Sequence, residues 1–151
     1  MRQILLLLSF FLTTAIFAQS PASVKGAADS IRQTIQVSYV EGLQNEGDTV
    51  KINKGFHPGF ELLIPGKDGS LQKFTLPEWK AKIARDLESG KLPRKKGEEI
   101  SIRFLDVDVT GDAAMAKFEF YVGTRLTFVD YQFLYRYPDG WKIVSKIYHR
   151  F

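Results

Sequence analysis

The sequence predicts an α+β fold, with helices packed on one face of a curved antiparallel sheet. Three observations carry that reading. Apolar residues recur at helical spacing from Val24 to Leu43. From Ile100 onward they alternate with period two. Asp139-Gly140 then sits between two alternating runs within Arg125 to His149, the strongest short-range signal of a hairpin. Helices therefore come first and long strands last, and no internal repeat or low-complexity stretch marks a second domain.

The chain begins with a segment that reads as a leader rather than as part of that domain. Arg2 supplies a positive start, Ile4 to Leu12 is apolar apart from Ser9, and Thr13 to Ala18 ends in small residues. This is the pattern of a secretory signal peptide over residues 1–18, with cleavage near Ala18 and export as its consequence. The apolar run is short for a bilayer span, so no stable membrane anchor is expected after cleavage. Residues 19–151 are expected to form a single exported domain. The sequence contains no Cys, which rules out disulfides, thiolate metal sites and lipid attachment through a cysteine.

Pro21 suits the first position of a helix, and Ser20 can cap it. Val24, Ala28, Ile31, Ile35, Tyr39 and Leu43 form one apolar stripe along a long helix, which Gly47 can close in the left-handed conformation. Tyr39 lies on this stripe, so its hydroxyl needs a buried partner or a cavity. Asp48 can cap a second helix, Thr49 to Lys54, that buries Val50 and Ile52. His57 precedes Pro58 and so takes an extended conformation at a corner. Its ring serves either as a backbone hydrogen-bonding group or as a proton-transfer group.

Phe60 to Ile64 and Leu71 to Thr75 read as short strands around the turn cluster Pro65 to Gly69. Thr75-Leu76-Pro77-Glu78 matches a capping box, opening a helix with Trp79, Ile83 and Leu87 on one face and a stop at Gly90. Lys91 to Gly97 carries much of the net charge of +4. It reads as a solvated loop or as a surface for an anionic partner. No aromatic residue interleaves these lysines, so no nucleic-acid partner is expected. Four strands then follow as a meander. If Asp139-Gly140 is a two-residue turn, Asp130 faces His149, Tyr131 faces Tyr148 and Phe133 faces Lys146.

Several stretches together carry a resemblance. They are Tyr39-x-x-Gly42, Gly47-Asp48, Phe56-His57-Pro58 and Val107-Asp108-Val109-Thr110-Gly111-Asp112-Ala113-Ala114, then Asp130-Tyr131, Gly140-Trp141-Lys142-Ile143-Val144 and Lys146-Ile147-Tyr148-His149. In this order and spacing the chain resembles the nuclear transport factor 2-like superfamily, on its putative lumazine-binding and SnoaL-like branch. The resemblance implies a cone-shaped fold, in which the curved sheet wraps the long helix and leaves a cavity at the open end. Relatives of this kind include isomerases, cyclases, dehydratases, ligand binders and silent interaction domains, so function rests on the site.

The enzymes among them work by acid/base chemistry without a cofactor, and none is expected here. The candidate catalytic groups are Asp130, His149 and His57. Asp130 with His149 could orient and charge the imidazole, or Asp130 could instead make a structural ion pair with Lys146 or His149. The candidate ligand wall is Tyr39, Phe56, Phe60, Trp79 and Tyr131. A metal site is not expected, since only two His are present and neither belongs to a His-x-x-His or Glu-x-x-His pair. No Gly-x-Ser-x-Gly elbow, phosphate loop or dinucleotide fingerprint occurs. The first expectation is thus an exported domain that binds a small apolar or aromatic molecule, with acid/base activity open. The alternative is an interaction domain with a filled cone, paired as a homodimer through the outer sheet face by Tyr121, Tyr135 or Trp141.

Overall fold

The computed structural model describes residues 21–151. The leader reading and the Ser20 cap lie outside them. Helix α1 spans Pro21–Thr34 and continues without a break into a π-helical segment, Ile35–Glu46. The stripe explains this winding. Ile31, Ile35, Tyr39 and Leu43 are spaced by four, which overshoots an α-helical turn by roughly 40° at each step. The wider i→i+5 winding brings them back onto one face, and all four are buried. Gly47 ends the segment with φ 74°, donating its N–H to the Gly42 carbonyl. π-helical winding is rare and is often found at functional sites, and this segment carries Tyr39.

Helix α2 spans Thr49–Gly55, with the Asp48 carboxylate accepting from the Val50 and Lys51 amides. Ile52 is buried as expected, whereas Val50 is 77% exposed, because a helix this short has only one face on the core. Strand β1 runs from Phe56 to Pro65, four residues longer at its start than expected, and β2 spans Leu71–Thr75. Helix α3, Leu76–Glu88, opens with both bonds of the Thr75/Glu78 capping box. Its Ile83 is buried, while Leu87 is 40% exposed at the edge of the stripe. Strands β3 (Ile100–Thr110), β4 (Ala113–Val122), β5 (Arg125–Tyr137) and β6 (Gly140–Arg150) complete the chain.

The sheet order is β2-β1-β6-β5-β4-β3. All pairings are antiparallel except β1 with β6, which is parallel. Register shifts interrupt β1/β6, β3/β4, β4/β5 and β5/β6, and such bulges bend a sheet. The concave face, with Phe118, Phe120, Leu134, Ile143 and Leu62, closes on Ile31, Ile35 and Tyr39 from the helices. This is the α+β, cone-like architecture expected.

The closing hairpin corrects the expected register. Its turn is Pro138-Asp139, with Tyr137 opposite Gly140, and Val144 is an extra residue in β6 opposite the step from Phe133 to Leu134. Both features move the pairing, and a slip of one residue exchanges the faces. Asp130 therefore faces Tyr148, and His149 faces Val129. The Asp130–His149 pair does not form. Trp141 is also reassigned: it is buried rather than available on the outer face, whereas Tyr135 is exposed there.

Candidate functional site

The even-numbered residues from Phe128 to Leu134 in β5 point into the concave face, and two of them are polar. Asp130 and Gln132 are both fully buried. Across the strand pair they meet Tyr148 and Lys146. Lys146 Nζ lies 2.7 Å from Asp130 Oδ2 and donates to Tyr39 Oη at 2.6 Å. The Tyr39 hydroxyl donates in turn to Asp130 Oδ2 at 2.7 Å. The π segment and two adjacent strands thus assemble a closed triad of phenol, carboxylate and ammonium.

Aromatic rings surround the ammonium. Lys146 Nζ is 5.0 Å from the ring centre of Tyr39, 5.4 Å from Tyr148, 5.8 Å from Phe120 and 5.9 Å from Trp79. Rings at this range attract a cation through their negative faces. Above the triad lies a 240 Å³ pocket walled by Tyr39, Trp79, Leu62, Phe120, Phe128 and Tyr148, with Lys146 at its base and Gln44 and Lys82 at its side. It adjoins a 370 Å³ cleft that shares Gln44, Trp79 and Lys82 and continues to Lys91, Arg94 and Glu98. The basic loop is tied down at this rim: Arg94 donates from Nε to the Gln44 carbonyl and from its amide to the Asn45 carbonyl.

Burial dominates the electrostatics of the triad. It raises the Asp130 carboxyl above the usual carboxylate value, against the opposing pull of Lys146 and the Tyr39 hydrogen bond. It lowers the Lys146 ammonium below the usual lysine value, although Asp130 pulls the other way. The Tyr39 phenol is pushed well above its usual value, first by burial and then by the Asp130 charge. The acid and the base thus move toward each other, so a proton can pass between Asp130 and Lys146 at a smaller cost than in water.

Three buried polar atoms have no hydrogen-bond partner among the described residues: Asp130 Oδ1 and both terminal atoms of the Gln132 amide. Leaving such a group unpaired costs roughly 1–3 kcal/mol. Gln132→Leu is therefore expected to stabilise the fold by about 1 kcal/mol in urea denaturation. A loss of stability would show instead that the amide is bonded in solution.

The expected site residues separate in space. Tyr39 and Trp79 meet in the inner pocket. Phe56 and Phe60 are core residues behind it, packed edge to face at 5.0 Å. Tyr131 stands on the outer face beneath Lys117 Nζ, at 5.3 Å, because odd-numbered β5 residues point outward. His149 is exposed and meets only the ring of Phe151 among aromatic groups described, 4.9 Å away. His57 stacks on Tyr137 at 5.1 Å and accepts the Gly59 amide at Nδ1. It lines a separate 400 Å³ cleft with Phe56, Lys80, Asp139 and Lys142. Lys146, Phe120, Phe128 and Tyr148 were not among the expected wall. The signal that finds them is the pair of acid-amide interruptions at Asp130 and Gln132 in an otherwise apolar inner register. Among the described residues no group of three or more His, Asp or Glu side chains could hold a metal.

Residues 27–149 match the family described as putative lumazine-binding. No curated protein sequence matches the chain. Among solved structures, it is similar to a nuclear transport factor 2-like protein of unknown function from Shewanella baltica OS155, with TM-score 0.64 and 18% identity over 89% of this chain and 98% of that one. A second such protein, from Silicibacter pomeroyi DSS-3, gives TM-score 0.63 and 19% identity over 88% and 100%. A putative dehydratase of the same fold from Streptomyces avermitilis gives TM-score 0.57 and 18% identity over 84% and 97%. At these identities the likeness shows the fold.

Proposed function

The chain belongs to the putative lumazine-binding family, and from that membership we propose that it is a small-molecule-binding domain whose ligand occupies the inner pocket. The observation that carries this reading is the Lys146 ammonium at the base of an aromatic-walled cavity, with its counter-ion buried behind it. Apolar walls with a few convergent polar groups are the usual make-up of a ligand site. A flat apolar or aromatic body fits between Trp79, Phe128 and Tyr148, and an acceptor atom on it meets Lys146 Nζ. The adjoining cleft extends the room available beyond 240 Å³.

Acid/base activity is the finer form of this reading. Lys146 and Tyr39 can both donate to a developing oxyanion, and Asp130 lies one hydrogen bond behind them as the proton store. Neither His57 nor His149 takes part, given where they stand. The apolar leader supports an exported setting, which N-terminal sequencing of the protein from a periplasmic or culture fraction checks.

A thermal-shift panel of flavin-like heterocycles, steroids and polyketides tests binding. A compound present at roughly 100 times its Kd stabilises the fold by about 2.7 kcal/mol, and Trp79→Ala is expected to abolish that stabilisation while leaving the protein folded. A panel with no shift favours the interaction reading.

That second reading has its own observation. Phe133 is 40%, Ile147 41% and Tyr135 54% exposed on the outer sheet face, and an apolar patch there suits a second copy of the chain. Light scattering is expected to give a dimer that Phe133→Glu converts to a monomer. A monomeric wild type would remove this reading and leave the pocket untouched.

A further inference from the structure

We propose that Lys146 captures a carbonyl compound covalently, as a Schiff base with a small conjugated aldehyde or ketone held in the inner pocket. This rests on the ligand-binding reading above and goes beyond it in naming the ligand's chemistry.

Geometry supplies each requirement. Lys146 is only 5% exposed as a residue and forms part of the pocket wall, so a molecule bound in the pocket lies against a largely desolvated side chain. Asp130 Oδ2, 2.7 Å away, takes the proton that must leave an ammonium before it can attack. Tyr39 Oη, 2.6 Å from Nζ, can carry a proton between nitrogen and a new alkoxide. Burial lowers the lysine and raises the acid, which favours the neutral amine that reacts.

The step balances. Nζ gives one proton to Asp130, and its lone pair forms a C–N bond to the carbonyl carbon as the C=O π bond breaks. Tyr39 takes a second proton from nitrogen as it gives its own to the oxygen, leaving a neutral carbinolamine. Asp130 returns its proton to that hydroxyl, water departs, and the nitrogen lone pair closes the C=N bond. The product is a protonated iminium beside a carboxylate. One positive charge replaces another at the same place, so Asp130 keeps its counter-ion. The rings of Tyr39, Trp79, Phe120 and Tyr148 that now surround the ammonium then surround the iminium.

Lys82 lies at the side of the same pocket but pairs with Asp86 and is exposed, so it serves as an internal control. The full chain is incubated with benzaldehyde or 2-naphthaldehyde, reduced with cyanoborohydride and mapped by peptide mass spectrometry. The expected result is one dominant adduct, on Lys146, at least roughly tenfold above Lys82 or any other lysine, as expected where positioning favours attack. The preference is expected to vanish when labelling is done in denaturant, and Lys146→Arg is expected to remove the adduct while circular dichroism stays native. Equal labelling of all lysines in the folded wild type overturns the proposal, whatever the variants do. If labelling is unselective while a heterocycle or steroid still raises Tm, the pocket reading stands and only the covalent chemistry fails. If no compound binds by either measure, both fall.

Discussion

Lys146→Met is expected to destabilise the fold by about 3–5 kcal/mol, because it leaves the fully buried Asp130 carboxylate without its cation. The methionine keeps most of the volume of the side chain, so a packing defect accounts for little of this. Asp130→Asn alone strands the ammonium in the same way, although a lysine can shed its charge by losing a proton. The double variant Asp130→Asn/Lys146→Met is expected to recover most of the loss. It leaves no buried charge at this site, and Tyr39 Oη can still donate to the Asn oxygen. Denaturant melts of the four proteins form a double-mutant cycle, with an expected coupling of about 2 kcal/mol or more. Additive losses would mean that the two side chains do not pair in solution.

The pH dependence follows from the same groups. Asp130 has a raised folded value, so it contributes stability that is complete below the unfolded carboxylate value and is lost as pH rises through the folded one. Lys146 has a lowered folded value, and stability tied to it rises with pH through the window between its folded value and the usual lysine value. Both slopes are expected to disappear from the double variant, which separates them from the exposed carboxylates.

Gly55→Ala is expected to cost about 1–3 kcal/mol or more, an overpacking effect. A Cβ at Gly55 would come within 2.2 Å of Ser38 Oγ, 2.6 Å of Ser38 Cβ and 2.9 Å of Thr34 Cγ2. Ser38 and Thr34 belong to the helix that carries Tyr39, and Gly55 ends α2 just before Phe56. The close approach therefore fixes how the π segment meets the sheet. Pushing the two apart would displace Tyr39 from Asp130 and Lys146 as well as loosen the core. Ser38→Gly removes the two nearest obstacles and is expected to restore part of the stability of Gly55→Ala. If Gly55→Ala melts like wild type, the helix and α2 are less closely packed than described.

Much of the fold was legible because local signals agreed with it. The capping box at Thr75 and Glu78, the Asp48 cap, the left-handed Gly47 and the period-two runs all act over a few residues, and each led to the element it predicts. The fourfold spacing of Ile31, Ile35, Tyr39 and Leu43 even carries the π winding, once it is read as too wide for an α-helix. The parallel pairing of β1 with β6 was not legible, since it joins segments more than 80 residues apart through no local signal.

The site was legible in part. Tyr39 was marked by a hydroxyl on an apolar stripe, and Asp130 by a carboxylate in an apolar strand. The Asp130–Lys146 ion pair was one of the alternatives the sequence left open, whereas the residue facing Asp130 was misplaced. The Pro138-Asp139 turn shifts the pairing by two residues and the extra Val144 brings it back by one, so Tyr148 replaces His149 opposite Asp130, while Tyr131 faces outward simply because its neighbour Asp130 faces inward. Bulges arise from sheet curvature, a tertiary demand that dipeptide turn chemistry does not report.

A crystal structure with a compound that raises Tm decides whether the inner pocket is the ligand site. Electron density for the compound is expected between Trp79 and Tyr148, with a polar atom or a covalent bond at Lys146 Nζ. Density in the His57 cleft or on the outer sheet face, with the pocket above Lys146 left unchanged, would contradict that assignment.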